Sequence, residues 1–184
     1  MNRQPENLQA GDILYENKFQ QIKMINGNYP FTHMKNNGVV ILPFDEKGDI
    51  YVLHKDRPNI GLYYELPRGG LEEGEEYKDG ALRELEEETG LKPLETIDLG
   101  EIQPDTGLLK HKIKLIGVKV GHKSESIFEH HDPVDDCDNI VAQLEIDDLF
   151  ILINDGEIVD GYTMSAIAKY LAYNRKDIEI KYGN

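Results

Sequence analysis

The sequence predicts an α/β (α+β) domain in which a mixed β-sheet lies between helices as an α-β-α sandwich, with a small β appendage at the amino terminus. Two observations lead to this fold class. Residues 110–120 alternate between apolar and polar side chains, as a half-buried strand does. Segments with helical spacing of apolar residues precede Gly90 and return near the end of the chain, so helices flank the predicted strands.

The first elements are predicted to be strands. Residues 11–36 contain short strands joined at Asn26-Gly27, a dipeptide that favours tight hairpin turns. The apolar run 38–44 predicts a buried strand, and after a turn at residues 45–49 the run 50–53 pairs back onto it. We therefore expect an amino-terminal β segment over residues 1–37, followed by the main domain over residues 38–184.

The remaining elements follow from proline, glycine and apolar spacing. Pro67 and the nearby glycines predict a loop that runs into a helix, and Gly90 ends that helix because glycine adopts the left-handed conformation without strain. The later predicted elements are strands at 96–102 and 110–120, a loop at 121–138, and helices at 147–155 and 162–175.

Composition excludes several classes of function. The chain has 184 residues and a formal net charge of −15, which argues against sequence-independent binding to nucleic acid and against docking on anionic membranes. No apolar run approaches the roughly 20 residues of a membrane-spanning helix, and the first residues do not resemble a signal peptide. The single cysteine, Cys137, excludes an internal disulfide framework, so we expect a reducing, cytoplasmic location.

Three carboxylates share one face of the predicted helix before Gly90. Glu84, Glu87 and Glu88 stand at positions i, i+3 and i+4, where like charges repel on an exposed helix. A multivalent cation removes that repulsion, and oxygen ligands alone select hard cations such as Mg²⁺ or Mn²⁺. The alternative interpretation is an ordinary solvated acidic face.

The whole segment around these carboxylates resembles a known motif. Residues 69–91 read GGLEEGEEYKDGALRELEEETGL and match G-x5-E-x7-R-E-U-x-E-E-x-G-U, where U is aliphatic, at each of its nine restricted positions. This is the Nudix box, and the chain is identified as resembling a Nudix hydrolase. The resemblance implies a Nudix fold and attack of water on a phosphorus of a nucleoside diphosphate linked to another group.

The resemblance also implies roles for box residues. Glu84, Glu87 and Glu88 are similar to the divalent-metal ligands of such enzymes, and the carbonyl of Arg68 resembles a backbone metal ligand. Glu88 is also expected among the catalytic residues. Arg83 and Glu75 resemble the ion pair that braces the loop against the helix.

Further motifs resemble the ADP-ribose pyrophosphatases and related nucleoside diphosphate sugar hydrolases. These motifs are KDRP at 55–58, ELPRG at 65–69, LGEIQPDTG at 99–107 and NDGEIVDG at 154–161. The resemblance implies cleavage of ADP-ribose or a similar compound to two monophosphates. Other nucleotide substrates (dinucleoside polyphosphates, reduced dinucleotides, nucleoside triphosphates) and a non-catalytic nucleotide sensor remain alternatives.

The same resemblance implies substrate contacts and a homodimer. Arg57 is expected to bind a phosphate, with a surface arginine as the alternative, and Glu65 either faces substrate or braces the loop. In this group the amino-terminal segment commonly swaps onto a partner subunit. Phe19, Tyr29 and Phe31 are candidates for stacking on the base, although simple packing is the alternative.

The general base is expected in the predicted loop 121–138. The ADP-ribose group usually has a glutamate there, but no glutamate stands at the corresponding place before Ile140. Asp136 and Asp138 are the nearest carboxylates, and Glu129 and Glu125 are the further candidates. The adjacent His130-His131 is interpreted as solvated, with metal binding as the less favoured alternative.

Overall fold

A computed structural model describes residues 8–25, 29–57 and 60–175 of the chain. The strands are β1 (Ile13–Glu16), β2 (Gln20–Met24), β3 (Pro30–Met34), β4 (Gly38–Phe44), β5 (Ile50–Arg57), β6 (Gly61–Glu65), β7 (Arg68–Gly70), β8 (Pro93–Ile102), β9 (Leu109–Lys110), β10 (Ile113–Val120), β11 (Ile127–Asp132) and β12 (Cys137–Leu144). The helices are α1 (Tyr77–Thr89), α2 (Ile146–Asn154) and α3 (Gly161–Asn174).

The main sheet is mixed and has the strand order β11-β12-β5-β4-β10-β8. Strands β4 and β10 run parallel, while β5 pairs with β12, and β10 with β8, in antiparallel fashion. Strand β6 adds to β5, and the short β7 pairs with β4 at Val39–Gly69. Strand β4 therefore lies in the middle of the sheet, beside the loop that enters α1.

Helices cover both faces of this sheet. Alternate residues of β4 point to opposite faces: Val39 and Ile41 pack in the cluster that contains Leu85 of α1, whereas Val40 and Leu42 pack in the cluster of α2 and α3. All seven residues of β4 are buried, since both faces are covered. The predicted α-β-α sandwich is confirmed.

A second, smaller sheet holds the amino-terminal strands. Its order is β1-β2-β3-β9, and β9 runs parallel to β3 through the pairs Thr32–Leu109 and His33–Lys110. The predicted short strands in 11–36 are present. The Asn26-Gly27 turn lies outside the described residues. Because β9 comes from the main domain, the small sheet is built from both sides of the boundary expected at residue 37.

Two parts of the fold differ from the sequence prediction. Residues 121–138 do not form one loop, because they contain β11 and the start of β12, which pair as a hairpin from Ile127–Ala142 to Asp132–Cys137. The loop expected after Pro67 contains the short strand β7, and β6 precedes it. Strand β12 also pairs with β5, and β7 pairs with β4, which are contacts between distant parts of the chain that local sequence patterns do not report.

Helix α1 ends as its sequence predicts. Gly90 has a φ of 65°, in the left-handed region, and its N–H donates to the carbonyl of Glu86. Leu85 is fully buried between α1 and the sheet, and Leu82 packs partly buried beside the same cluster. The apolar stripe thus orients the helix, and the carboxylates lie on the face beside it.

Replacement of Leu85 by Ala should lower the free energy of unfolding by about 2–5 kcal/mol, because it opens a cavity in a well-packed core. Leu94→Ala is the matched control, since Leu94 is 67% exposed and should change stability by about 0.5 kcal/mol or less. Urea denaturation followed by circular dichroism measures both. Equal effects of the two substitutions would contradict the orientation of α1.

Candidate active site

The three carboxylates of α1 line one cavity. Glu84, Glu87 and Glu88 border a space of about 230 Å³, together with backbone or side-chain atoms from the residues just before the helix. The helical spacing predicted from the sequence therefore brings them to one place. The other lining residues are Arg68, Gly69, Gly70, Arg83, Asp132, Val134 and Asp135.

Gly69 is packed against the first of these carboxylates. A Cβ built on Gly69 would lie 1.9 Å from the carboxyl carbon of Glu84, a distance that no real contact allows. A side chain at this position would push Glu84 out of the cavity. Gly70 has open space at the same point, so the requirement for glycine at residue 69 is specific.

Arg83 joins the loop to the helix. Its guanidinium binds both carboxylate oxygens of Glu75 at 2.9 Å, and it also contacts Glu84 and Glu87 at 2.9 Å. A further hydrogen bond goes to the carbonyl of Gly70. These hydrogen bonds from Arg83 lower the pKa of Glu75 to about 2. The ion pair between Arg83 and Glu75 braces the loop, and the same arginine offsets the repulsion between helix carboxylates.

Glu88 is the most deeply placed of the three carboxylates. Its Oε1 accepts a hydrogen bond from Lys55 Nζ at 2.7 Å, and its Oε2 accepts one from the backbone N–H of Arg68 at 2.8 Å. Burial raises the pKa of Glu88, and the charge of Lys55 acts in the opposite direction. Lys55, which the sequence analysis did not assign a role, is the counter-ion of this carboxylate.

A second ion-pair network lies beside the first. Buried Glu65 binds Arg57 through two hydrogen bonds of 2.9 and 2.7 Å, and it binds the side chain of Arg68 at 2.8 Å. Arg68 also contacts Asp160, the residue that caps α3 through the N–H of Thr163. Of the two roles expected for Glu65, the structure places it as a brace between arginines.

A larger cleft of about 520 Å³ adjoins the carboxylate cavity. The two spaces share Arg68, Gly69, Gly70, Glu88 and Asp135. Lys55 and Arg57 line the larger cleft, which also contains the rings of Phe19, His111 and Tyr162. Phe19 thus lies in the cleft of its own chain, while Tyr29 is 60% exposed. Cations and aromatic rings meet beside the carboxylates.

The carboxylates expected to supply a base do not border either space. Asp138 contacts His131, and its side chain is 75% exposed. Strand alternation explains this position, since Asn139 and Val141 face α1 and Asp138 faces the other way. Asp136 is 95% exposed at the hairpin turn, with a φ of 50°.

The further candidates also lie elsewhere. Glu129 is exposed in β11, while its neighbours Phe128 and His130 contact the α1 side. Glu125 precedes Ile127, which pairs with Ala142 at the end of the hairpin remote from its turn. Distance along the sheet separates Glu125 from the carboxylate cavity.

The hairpin turn does bring other carboxylates to the site. Asp132 and Asp135 line the carboxylate cavity, and Asp135 also lines the larger cleft. Asp132 Oδ1 accepts the N–H groups of Val134 and Asp135, which closes the turn. The dipeptide Asp132-Pro133 is a recognised turn signal, so it could have revealed this turn in the sequence.

Comparison with known proteins identifies the family. A model of the NUDIX domain matches residues 34–156, most of the described chain. This chain belongs to the NUDIX family. Its box lies inside the matched segment.

Curated relatives are similar to part of this chain. An RNA pyrophosphohydrolase of Pelagibacter ubique (strain HTCC1062) is 39% identical over 61 residues, which cover 33% of this chain and 38% of that protein. Nudix hydrolase 25 of Arabidopsis thaliana is 36% identical over 70 residues, 38% of each chain. This chain therefore spans less than half the length of these relatives in the matched segments.

A solved structure extends the likeness to the fold of nearly the whole chain. The crystal structure of an ADP compounds hydrolase superposes with a TM-score of 0.69, at 15% sequence identity. The alignment covers 94% of this chain and 98% of that one, so it includes more than the NUDIX domain match. At this identity the likeness concerns the fold.

The NUDIX box residues suit a hard divalent cation. All three donors are carboxylates, and the missing side chain of Gly69 lets Glu84 reach the loop. Within the described ranges, no three acidic, histidine or cysteine side chains stand ready to hold an ion together. Arg83 and Lys55 bind the carboxylate oxygens of Glu84, Glu87 and Glu88 instead. No helix in the described part of the chain is long and apolar enough to cross a membrane.

Replacement of Lys55 by Met should lower the free energy of unfolding in metal-free buffer by about 3 kcal/mol, because it leaves the buried charge of Glu88 without its partner. Lys92→Met is the matched control. The pair of Lys92 with Glu86 is exposed and should contribute about 0.5 kcal/mol or less. Chemical denaturation in EDTA measures both variants. If both substitutions have the same small effect, Lys55 is not the counter-ion of Glu88.

Proposed function

We propose that this protein is a divalent-metal-dependent hydrolase that cleaves the diphosphate of ADP-ribose, or of a related nucleoside diphosphate sugar, into two monophosphates. The observation that carries the proposal is the position of the carboxylate cavity beside a cleft lined by Lys55, Arg57 and Arg68. A diphosphate needs both a cation site and positively charged side chains, and the two meet here despite the acidic chain.

Mg²⁺ or Mn²⁺ is the cation that we expect. Glu84, Glu87 and Glu88 would hold it, with the carbonyl of Arg68 as a further ligand. When bound, the cation neutralises phosphate oxygens and lowers the pKa of a coordinated water molecule. The chain itself supplies rigidity, because Arg83 fixes Glu84 and Glu87 from the loop side.

The larger cleft suits the rest of a nucleotide. Arg57 presents a planar guanidinium held in place by Glu65, and such a group binds phosphate in a bidentate manner. Burial of Glu65 between two arginines keeps Arg57 pointed at the cleft without leaving a buried charge unpaired. Phe19 and Tyr162 offer ring faces for a base or sugar.

Asp135 is our choice for the general base. It is the carboxylate of the hairpin turn that lines both the cation cavity and the substrate cleft, so it can reach a water molecule placed between them. Asp136 and Asp138, the residues favoured by sequence position, point into solvent or toward His131.

A second candidate function is hydrolysis of the 5′ end of RNA. It is favoured by the curated relatives named RNA pyrophosphohydrolase, which match about a third of this chain. The net charge of −15 favours a small substrate, because a long RNA would be repelled. A sensor without turnover is the non-enzymatic alternative, although each box carboxylate is present.

A cytoplasmic homodimer completes the proposal. The small sheet exposes Ile13, Tyr15 and Tyr29, apolar side chains of the kind that subunit interfaces bury. Lone Cys137 has no partner for an internal disulfide and suits a reducing compartment. The homodimer also rests on the resemblance to the ADP-ribose group.

A substrate panel in Mg²⁺ tests the function directly. It contains ADP-ribose, other nucleotide sugars, dinucleoside polyphosphates, reduced dinucleotide, nucleoside triphosphates and a 5′-triphosphate RNA oligonucleotide, with products separated by chromatography. We expect ADP-ribose to give two monophosphates, and Glu88→Gln to lower kcat/KM by at least about 100-fold. Preference for the RNA would select the second candidate. Binding without turnover of any compound would favour a sensor.

Replacement of Asp135 by Asn should lower kcat about 100-fold or more with KM nearly unchanged, because the amide cannot take a proton from water. Asp136→Asn and Asp138→Asn should keep kcat within about 2-fold of the parent protein. Steady-state kinetics on the preferred substrate measures all three variants. If Asp136→Asn or Asp138→Asn shows the large loss instead, the base is not Asp135.

A further inference from the structure

The carboxyl-terminal end of α1 is held by two side chains from the β11–β12 hairpin. The last carbonyl groups of a helix have no partner within the helix. Here the carbonyl of Glu87 lies 3.0 Å from Nε2 of His130, and the carbonyl of Glu88 accepts a hydrogen bond of 3.0 Å from Nδ2 of Asn139. The two residues that receive these contacts carry two of the three box carboxylates.

His130 and Asn139 form a cross-strand pair. They stand opposite each other in the register of β11 and β12, on the side that faces α1. Asn139 is buried. The imidazole of His130 also covers Gly90, where an added Cβ would lie 2.6 Å from the ring. The hairpin therefore meets the helix end through two hydrogen bonds and a close ring contact.

This contact lies next to the acidic turn of the hairpin. Asp132 follows His130 by two residues and is on the same face of β11, because side chains alternate along a strand. Asp132 and Asp135 then border the cavity of the helix carboxylates. The contact of His130 and Asn139 with the end of α1 thus sets the position of Glu87 and Glu88 relative to the hairpin turn.

We propose that His130 and Asn139 are positioning residues for the cation site: they dock the hairpin on α1 and fix Glu87, Glu88 and the acidic turn relative to one another. The inference rests on the proposed metal-dependent function. Neither side chain lines the carboxylate cavity or the larger cleft. His130 therefore acts neither as a metal ligand nor as a solvated side chain, the two roles considered from its sequence.

Two substitutions of His130 distinguish a docking role of its hydrogen bond from simple packing of its ring. His130→Phe keeps an aromatic ring over Gly90 but removes the hydrogen bond to Glu87, and His130→Gln keeps a donor without the ring. His131→Phe is the matched control, because His131 is exposed and contacts Asp136 and Asp138 only at the outer side of the hairpin. Three measurements are made: the Mn²⁺ dissociation constant by calorimetry, kcat and KM, and hydrogen exchange of the 132–135 amides.

We expect His130→Phe to weaken Mn²⁺ binding and to lower kcat by about 10-fold each, with KM changed little, as for other residues that orient metal ligands. Exchange of the turn amides should accelerate by a similar factor. His130→Gln should recover most of the loss. His131→Phe should stay within about 2-fold of the parent protein in every measurement.

Two results would overturn the inference. One is a His130→Phe protein that loses thermal stability while its Mn²⁺ affinity, kcat and turn exchange match the parent protein. The other is a His130→Gln protein as impaired as His130→Phe. If the parent protein turns over no substrate, the proposed function fails, but Mn²⁺ affinity and turn exchange still decide the docking role. If the parent protein binds no Mn²⁺, the hydrogen exchange of the turn amides decides by itself. Unchanged exchange in His130→Phe would then reject the docking role of His130.

Discussion

Repulsion between carboxylates on one helix face is the constraint on which the site is built. Glu84 and Glu87 are held by Arg83, and Glu88 is held by Lys55 and by a backbone N–H. Each of these partners comes from a different element: the helix itself, strand β5 and strand β7. The acidic face is stable because three separate elements converge on it, and this convergence defines where the helix, loop and sheet must meet.

One face of strand β5 continues from the hydrophobic core into the cleft. Tyr51 and Leu53 face α1 as core residues, and the next two residues on that face, Lys55 and Arg57, line the cleft. Side chains two residues apart lie on the same face of a strand, so the face that buries Tyr51 and Leu53 also presents Lys55 and Arg57 to the carboxylates. A continuous rigid strand is a better support for charged groups than a loop, since its backbone hydrogen bonds remain intact.

Local geometry explains which features the sequence could predict. The face shared by Glu84, Glu87 and Glu88 and the end of α1 at Gly90 depend only on helix periodicity and on glycine. The pairing of Lys55 depends on Glu88, which is 33 residues away in the chain, so local spacing could not reveal it. Asp138 lies in a strand whose pairing decides the direction of every side chain, and its side chain faces away from α1.

Gly90 satisfies two requirements that have different origins. The end of α1 requires a φ of 65° at this residue, and the imidazole of His130 in strand β11 leaves no room for a Cβ. Asparagine, which tolerates the first, would still collide with the second. A substitution of His130 could remove the ring contact, but Gly90 would still need its left-handed backbone conformation. A side chain at residue 90 would therefore strain the end of α1 and displace the ring of His130 at the same time.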